Sequence, residues 1–215
     1  MNNKLLTFIA LTAIVIGGFV AYLMNGDTNK PIQEQTEYMS WYPQPRALNP
    51  FVLTDHKGAE MTNASLQNQW TLAFVGYTFC PDICPVTLAE INKVYPQLAS
   101  LDTQTPLKIW FLSVDPKRDT TERLNEYINY FNPEFVASTG PHAELFPLVR
   151  SMGMMYSTSE STDNPNYLVD HSASIVVINP QGQVVGRFKP KHEPGKLPVS
   201  DTQQILTDIP KLLGL

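Results

Sequence analysis

Trp70-Thr71-Leu72-Ala73-Phe74-Val75-Gly76-Tyr77-Thr78-Phe79 runs directly into Cys80-Pro81-Asp82-Ile83-Cys84-Pro85, and this stretch decides the fold. The first part is a continuous apolar and aromatic run, the pattern of a central strand buried on both faces. After it, Leu88, Ile91, Val94, Tyr95 and Leu98 recur at spacings of three and four, which predicts an amphipathic helix over Pro85–Leu101. Pro85 belongs in the first turn of that helix, where its missing N–H costs little. A strand, a short cysteine-bearing loop and a helix thus follow one another directly.

Working outward, Leu107–Val114 reads as a second buried strand, and Thr120–Tyr130 and His142–Met152 as helices. Ser174–Asn179 and Gln183–Phe188 read as a hairpin turned at Pro180-Gln181-Gly182. A last helix is expected over Asp201–Leu212. Strands alternating with crossover helices imply an α/β fold with a mixed central sheet flanked by helices. That order is compatible with a thioredoxin-like fold, which periodicity alone does not single out.

Of the 215 residues, 43% are hydrophobic and 16% charged, enough apolar matter for a core and too little charge for a disordered chain. The net charge of −5, with no basic patch, argues against a nucleic-acid partner. Leu5–Met24 contains no charged side chain over twenty residues, which as a helix spans roughly 30 Å, the apolar thickness of a bilayer. Lys4 precedes this run, and Asp27, Lys30, Glu34 and Glu37 follow it. That asymmetry keeps the N-terminus inside and sends the remainder across. Tyr22-Leu23-Met24-Asn25 makes a poor cleavage site, so residues 1–24 are read as one uncleaved transmembrane helix. Residues 25–48, polar and punctuated by Pro31, Pro43 and Pro45, are read as a tether, and 49–215 as the globular domain. Trp41 and Tyr42 suit either the membrane interface or the domain surface. The leader lacks the Arg- and Ser-rich character of a transit peptide. The expected location is therefore a bacterial inner membrane, single-pass, with the domain in the periplasm.

The chain has two cysteines, Cys80 and Cys84, placed between a buried strand and a helix start. Unpaired N–H groups at a helix N-terminus favour thiolate, the form that attacks disulfides and binds metal. A structural disulfide closing so short a loop would contribute only about 2 kcal/mol in the chain-entropy model. Two functional readings remain: a dithiol that exchanges with other disulfides, or two thiolates that hold a soft metal such as Cu(I). A copper site needs a third ligand. Of the four histidines, His56 precedes the turn signal Lys57-Gly58 and is expected exposed, and His142 and His192 are expected solvated. His171 lies just before a core strand, where its position is well defined. On spacing alone it reads as a hydrogen-bonded loop histidine rather than a ligand, since 87 residues separate it from Cys84.

Thr78-Phe79-Cys80-Pro81-Asp82-Ile83-Cys84-Pro85, Ser113-Val114-Asp115-Pro116-Lys117-Arg118-Asp119-Thr120 and Tyr167-Leu168-Val169-Asp170-His171-Ser172 together resemble the Sco/SenC family of copper chaperones. The likeness extends over nearly all of the chain beyond Asn49. It implies a thioredoxin fold, with copper, as Cu(I) or Cu(II), held by Cys80, Cys84 and His171. It also implies a partner, the copper-centre subunit of cytochrome c oxidase, which the protein would supply with copper or whose thiols it would prepare. Asp82 and Asp170 become candidates to orient or tune the ligands. Asp115 and Arg118 are expected to pair and close the loop after the second strand. Met152, Met154 and Met155 offer soft thioethers, though Met more often fills a core.

Two functions follow: a metallochaperone without turnover, which needs His171, and a thiol–disulfide reductase, which does not. Three residues between the cysteines, rather than two, favour the first. The Thr of peroxidases is missing, since Tyr77 and Pro81 stand three before Cys80 and Cys84. Zinc is chemically possible but not required. On an oxidising side of a membrane, free thiols tend to pair. A periplasmic thiol reductant or copper donor is therefore a further expected partner.

Overall fold

The computed structural model describes residues 35–158 and 164–215, together with the isolated positions Thr12 and Ile16. The membrane span expected over 5–24 lies outside the described residues, among which no helix is long and apolar enough to cross a membrane. Glu37–Leu215 forms one compact unit.

In chain order the elements are β1 (Ser40–Ala47), β2 (Val52–Asp55), β3 (Glu60–Thr62), a 3-10 turn (Asn63–Leu66), β4 (Trp70–Gly76) and α1 (Ile83–Ala99). There follow β5 (Leu107–Ser113), α2 (Thr121–Phe131), β6 (Val136–Thr139), α3 (His142–Ser151) and β7 (Tyr156–Thr158). The chain closes with β8 (Val169–His171), β9 (Ile175–Ile178), β10 (Gln183–Phe188) and α4 (Thr202–Leu212). Eight strands form one sheet in the order β1-β10-β9-β4-β5-β6-β2-β3, and β7 and β8 form a separate ribbon. β4, β5 and β6 run parallel, while β9 meets β4 antiparallel, so the sheet is mixed as expected.

The two central strands are buried on both faces, and their alternation divides the core. Leu72, Phe74, Ile109 and Phe111 pack against Leu88, Ile91, Val94 and Leu98 of α1 and against α2 and α4. Ala73, Val75, Trp110 and Leu112 face the opposite layer, with α3 and both cysteines. Each Leu or Ile buried in this way contributes on the order of 1.5–3 kcal/mol. Two helices start on side-chain caps: Thr120 accepts from the Arg123 N–H, and Asp201 from the Gln203 N–H. The hairpin turns where anticipated, at Gly182 with φ +73°, and the Asn179 side-chain oxygen Oδ1 accepts from the Gln181 and Gln183 N–H groups.

The sheet begins earlier than the sequence suggested. Residues 40–47, assigned to the tether, form β1 and pair antiparallel with β10. Two prolines, Pro43 and Pro45, and an irregular register disguise the strand, and an edge position tolerates both. Tyr42 packs on the domain, under the Arg46 guanidinium at 4.2 Å. His56 is a second correction. It is buried, with its ring against β6, where Nδ1 lies 3.2 Å from the Ala137 N–H nitrogen. The turn at Lys57-Gly58 is present, but β2 pairs with β6 up to that turn and carries the ring inward.

The segment before β1 is held by one carboxylate. Asp208 of α4, fully buried, accepts the backbone N–H groups of Glu37, Tyr38 and Met39 at 2.8, 2.7 and 2.8 Å. Asp208→Ala strands these donors, and the expected loss of stability in urea unfolding is about 2–4 kcal/mol. Amide exchange should accelerate first at residues 37–41.

Candidate metal centre

The cysteine loop begins where β4 ends, and its first requirement is space. A Cβ on Gly76 would lie 2.7 Å from the Cys84 sulfur and 2.6 Å from the Phe111 ring. Only glycine lets the thiol seat against the strand end. The loop is then pinned from below by Asp119, which is fully buried. Asp119 accepts the Thr78 N–H at 2.9 Å and hydroxyl at 2.7 Å, and the Ser113 hydroxyl. Arg123 Nε donates to the Thr78 hydroxyl oxygen at 3.1 Å. Burial pushes the Asp119 carboxyl above its usual range, and these hydrogen bonds oppose the rise.

α1 starts at Ile83 with Asp82 at its N-cap, so Cys84 sits in the first turn and Cys80 in the loop before it. The third segment comes from β8. His171 Nε2 lies 3.4 Å from Cys84 Sγ, and the donor atoms of Cys80, Cys84 and His171 all lie within 4.8 Å of one another. The imidazole stands edge-on to the Tyr77 ring, at 6.0 Å and 87°. Its Nδ1 lies 3.3 Å from the Ser172 carbonyl oxygen, which leaves Nε2 toward the sulfurs. Asp82 and Asp170 border the same cleft of about 200 Å³ as Cys80 and His171. Both are exposed, and it is the Ser172 carbonyl rather than either carboxylate that faces the imidazole Nδ1.

One side chain connects the cysteine loop to the histidine segment. Arg118 pairs with Asp115, as anticipated, and Tyr167 donates its hydroxyl to the same carboxylate. The guanidinium lies over the Tyr167 ring at 3.6 Å and the Phe79 ring at 4.8 Å. It also donates to the Pro165 carbonyl at 3.1 Å. The motif Asp115–Asp119 therefore does more than close a loop. Its Arg clamps Phe79 to Tyr167, and its last Asp supports Thr78. Gly76, Tyr77, Asp119 and Tyr167 went unassigned in the sequence, although the quoted strand run and the three motifs contain all of them.

The two thiols are unbridged and differ sharply. A hydrogen bond from the Cys84 thiol, together with His171 and the N–H groups of Cys84 and Asp82, outweighs burial and brings Cys80 down to about 4. Cys84 moves the other way, raised by burial and by its neighbour's charge. The two shifts run in opposite directions, so Cys80 is the more acidic thiol of the pair.

The SCO1/SenC family model matches residues 42–207. The chain belongs to the SCO1/SenC family. It is 30% identical over 192 residues to the human protein "SCO1 homolog, mitochondrial", covering 89% of this chain and 64% of that one. Two solved structures superpose on the fold at 30% identity. The Arabidopsis thaliana ScoI with copper bound gives a TM-score of 0.63, over 75% of this chain and 97% of that one. Bradyrhizobium japonicum ScoI with copper bound gives 0.62, over 78% and 99%. These neighbours bear out the thioredoxin-like reading of the family's fold, and the Cys–Cys–His group matches what the family resemblance implied.

Two predictions follow from the site. In the metal-free chain, iodoacetamide should alkylate Cys80 at a rate nearly constant from pH 8 to pH 5 and falling below about 4, as thiolate is protonated. An ordinary thiol would lose about tenfold per pH unit over that interval. Gly76→Ala should destabilise the domain by about 1–3 kcal/mol in urea unfolding, because either Phe111 or the Cys84 sulfur must move.

Proposed function

We propose that this chain is a membrane-anchored metallochaperone that binds one copper ion through Cys80, Cys84 and His171. In this reading it delivers the ion to, or prepares, the binuclear copper centre of cytochrome c oxidase. The observation that carries the proposal is the convergence of the three donor atoms within 4.8 Å, although 87 positions separate Cys84 from His171. The donor set fits copper. Thiolate sulfur stabilises Cu(I), and imidazole accepts both valences. Cys80 is the more acidic thiol, the cysteines would give up their protons on binding, and His171 turns Nε2 toward them. The Ser172 carbonyl holds the opposite edge of the ring.

The copper-bound relatives support the choice of metal, and the uncharged run Leu5–Met24 supports the anchor. A bacterial inner membrane, with the domain in the periplasm, is the location consistent with that run and its flanking charges. There a thiol reductant or copper donor would keep the pair open for metal.

A second reading rests on the asymmetry of the two thiols. A thiolate beside a buried thiol is the arrangement of a dithiol that attacks a partner's disulfide and is then resolved by its neighbour. As a thiol–disulfide reductase, the protein would keep the cysteines of the copper-centre target reduced. That activity needs Cys80 and Cys84 but not His171.

Anaerobic copper titration of the reduced full chain in detergent, beside His171→Ala, separates the two. The chaperone reading expects one copper per chain with a thiolate-to-copper absorption band. His171→Ala should then bind roughly 10–100-fold more weakly while its dithiol still cycles. Copper binding that is weak, or indifferent to His171, would leave the reductase.

A further inference from the structure

Among the described residues, β8 pairs with β7 alone, and the ribbon they form stands apart from the main sheet. Backbone pairing therefore does not seat His171 against the cysteine loop. Side chains do, and one of them reaches both sides. The Arg118 guanidinium lies 3.6 Å from the centre of the Tyr167 ring, 4.8 Å from that of Phe79 and 5.5 Å from that of Tyr77. Tyr77 and Phe79 lead into Cys80, and Tyr167 leads into β8. Arg118 also donates to the Pro165 carbonyl at 3.1 Å. Tyr77 in turn meets the imidazole edge-on and hydrogen-bonds the Val169 backbone. Two lines of contact thus run from Arg118 to the histidine, one through Tyr77 and one through Tyr167 into β8.

Charge pairing does not account for this placement. Asp115 matches the guanidinium, yet Nη2 is buried and has no hydrogen-bond partner among the described residues. A buried donor left unmet costs stability, so the rings, rather than a full set of polar partners, set where the guanidinium lies. We propose that Arg118 is a positioning residue that holds His171 Nε2 at the two sulfurs, acting through Tyr77 and Tyr167. This rests on the copper reading of Cys80, Cys84 and His171.

A donor that must be drawn into place takes the ordering of its segment out of the binding free energy. With the rings clamped, that ordering is complete before copper arrives. The role needs a flat cation, since a lysine carries the charge but cannot lie against several aromatic faces. Arg118→Lys therefore separates the clamp from the charge.

The test is a double-mutant cycle on the reduced full chain in detergent, under argon, with copper alone as the probe. It compares wild type, Arg118→Lys, His171→Ala and the double variant, and urea unfolding checks that each is folded in the assay. Arg118→Lys should bind copper roughly 3- to 10-fold more weakly than wild type and alter the thiolate-to-copper band. In the His171→Ala background the same change should have no further effect, because the group it positions is gone. A general loosening of the fold would instead weaken binding equally in both backgrounds. Equal losses, or an Arg118→Lys protein with wild-type affinity and band, overturn the proposal. If Arg118→Lys does not fold, Phe79→Leu replaces it, since that ring is 48% exposed and forms one side of the clamp. It should show the same dependence on His171, and an equal loss in both backgrounds, or none, overturns the proposal. A wild-type chain that binds no copper, or binds it without regard to His171, overturns the copper reading and this inference with it. Copper binding that needs His171 but ignores the clamp overturns this inference alone.

Discussion

The Arg118 guanidinium lies between two aromatic rings that belong to different parts of the chain, Phe79 beside the first cysteine and Tyr167 ahead of the histidine. Its charge is matched by Asp115, which also takes the Tyr167 hydroxyl. Cys80, Cys84 and His171 lie on separate elements, and no hydrogen-bonded ladder joins β8 to β4. Alignment of the two halves therefore depends on this clamp and on the close contact of His171 with Tyr77 and Cys84. A lysine would supply the charge but not the flat surface that stacks on two rings.

Beneath the clamp, the same loop sets the height of the cysteines. Asp119 holds Thr78 from inside the protein, and Gly76 clears the space into which the Cys84 sulfur fits. Strand, loop and helix start are thereby held together by contacts that need no ligand. Such preorganisation matters for a site of three donors, because a metal bound by few ligands draws its selectivity from their placement. It also produces the inequality of the thiols. Cys80 sits where N–H groups and a neighbouring thiol converge on it, and Cys84 sits where the sheet removes water. Metal binding and thiol exchange draw on the same inequality, so the two readings of function differ in their need for His171 rather than in their use of the cysteines.

The strongly periodic elements were legible from the sequence. β4, β5, β10 and the four helices came out within a few residues, because each carries an apolar pattern that only one secondary structure can bury. The short strands were not legible. β2, β3, β7 and β8 have three or four residues apiece and owe their extension to neighbours distant in sequence. β1 is interrupted by prolines that an edge strand accommodates. His56 was misjudged for a related reason. The turn after it was read correctly, but whether the ring points to solvent or to β6 depends on a strand pairing that local composition does not encode.

By itself the sequence determined that two cysteines would lie at a strand-to-helix junction, because the apolar run, the spacing and Pro85 are all local signals. It determined the mixed α/β class on the same grounds. Spacing alone did not choose among the histidines; the family resemblance named His171, and the tertiary structure brings it, and not His56, His142 or His192, to the sulfurs. That choice depends on where β8 lies against the cysteine loop, which is set by contacts among Arg118, Tyr167, Phe79 and Tyr77 across the fold. Only the tertiary structure decided that Met155 alone of three neighbouring methionines would stand in solvent. Burial is a property of the packed molecule, and a run of similar side chains carries no record of which of them the core will take.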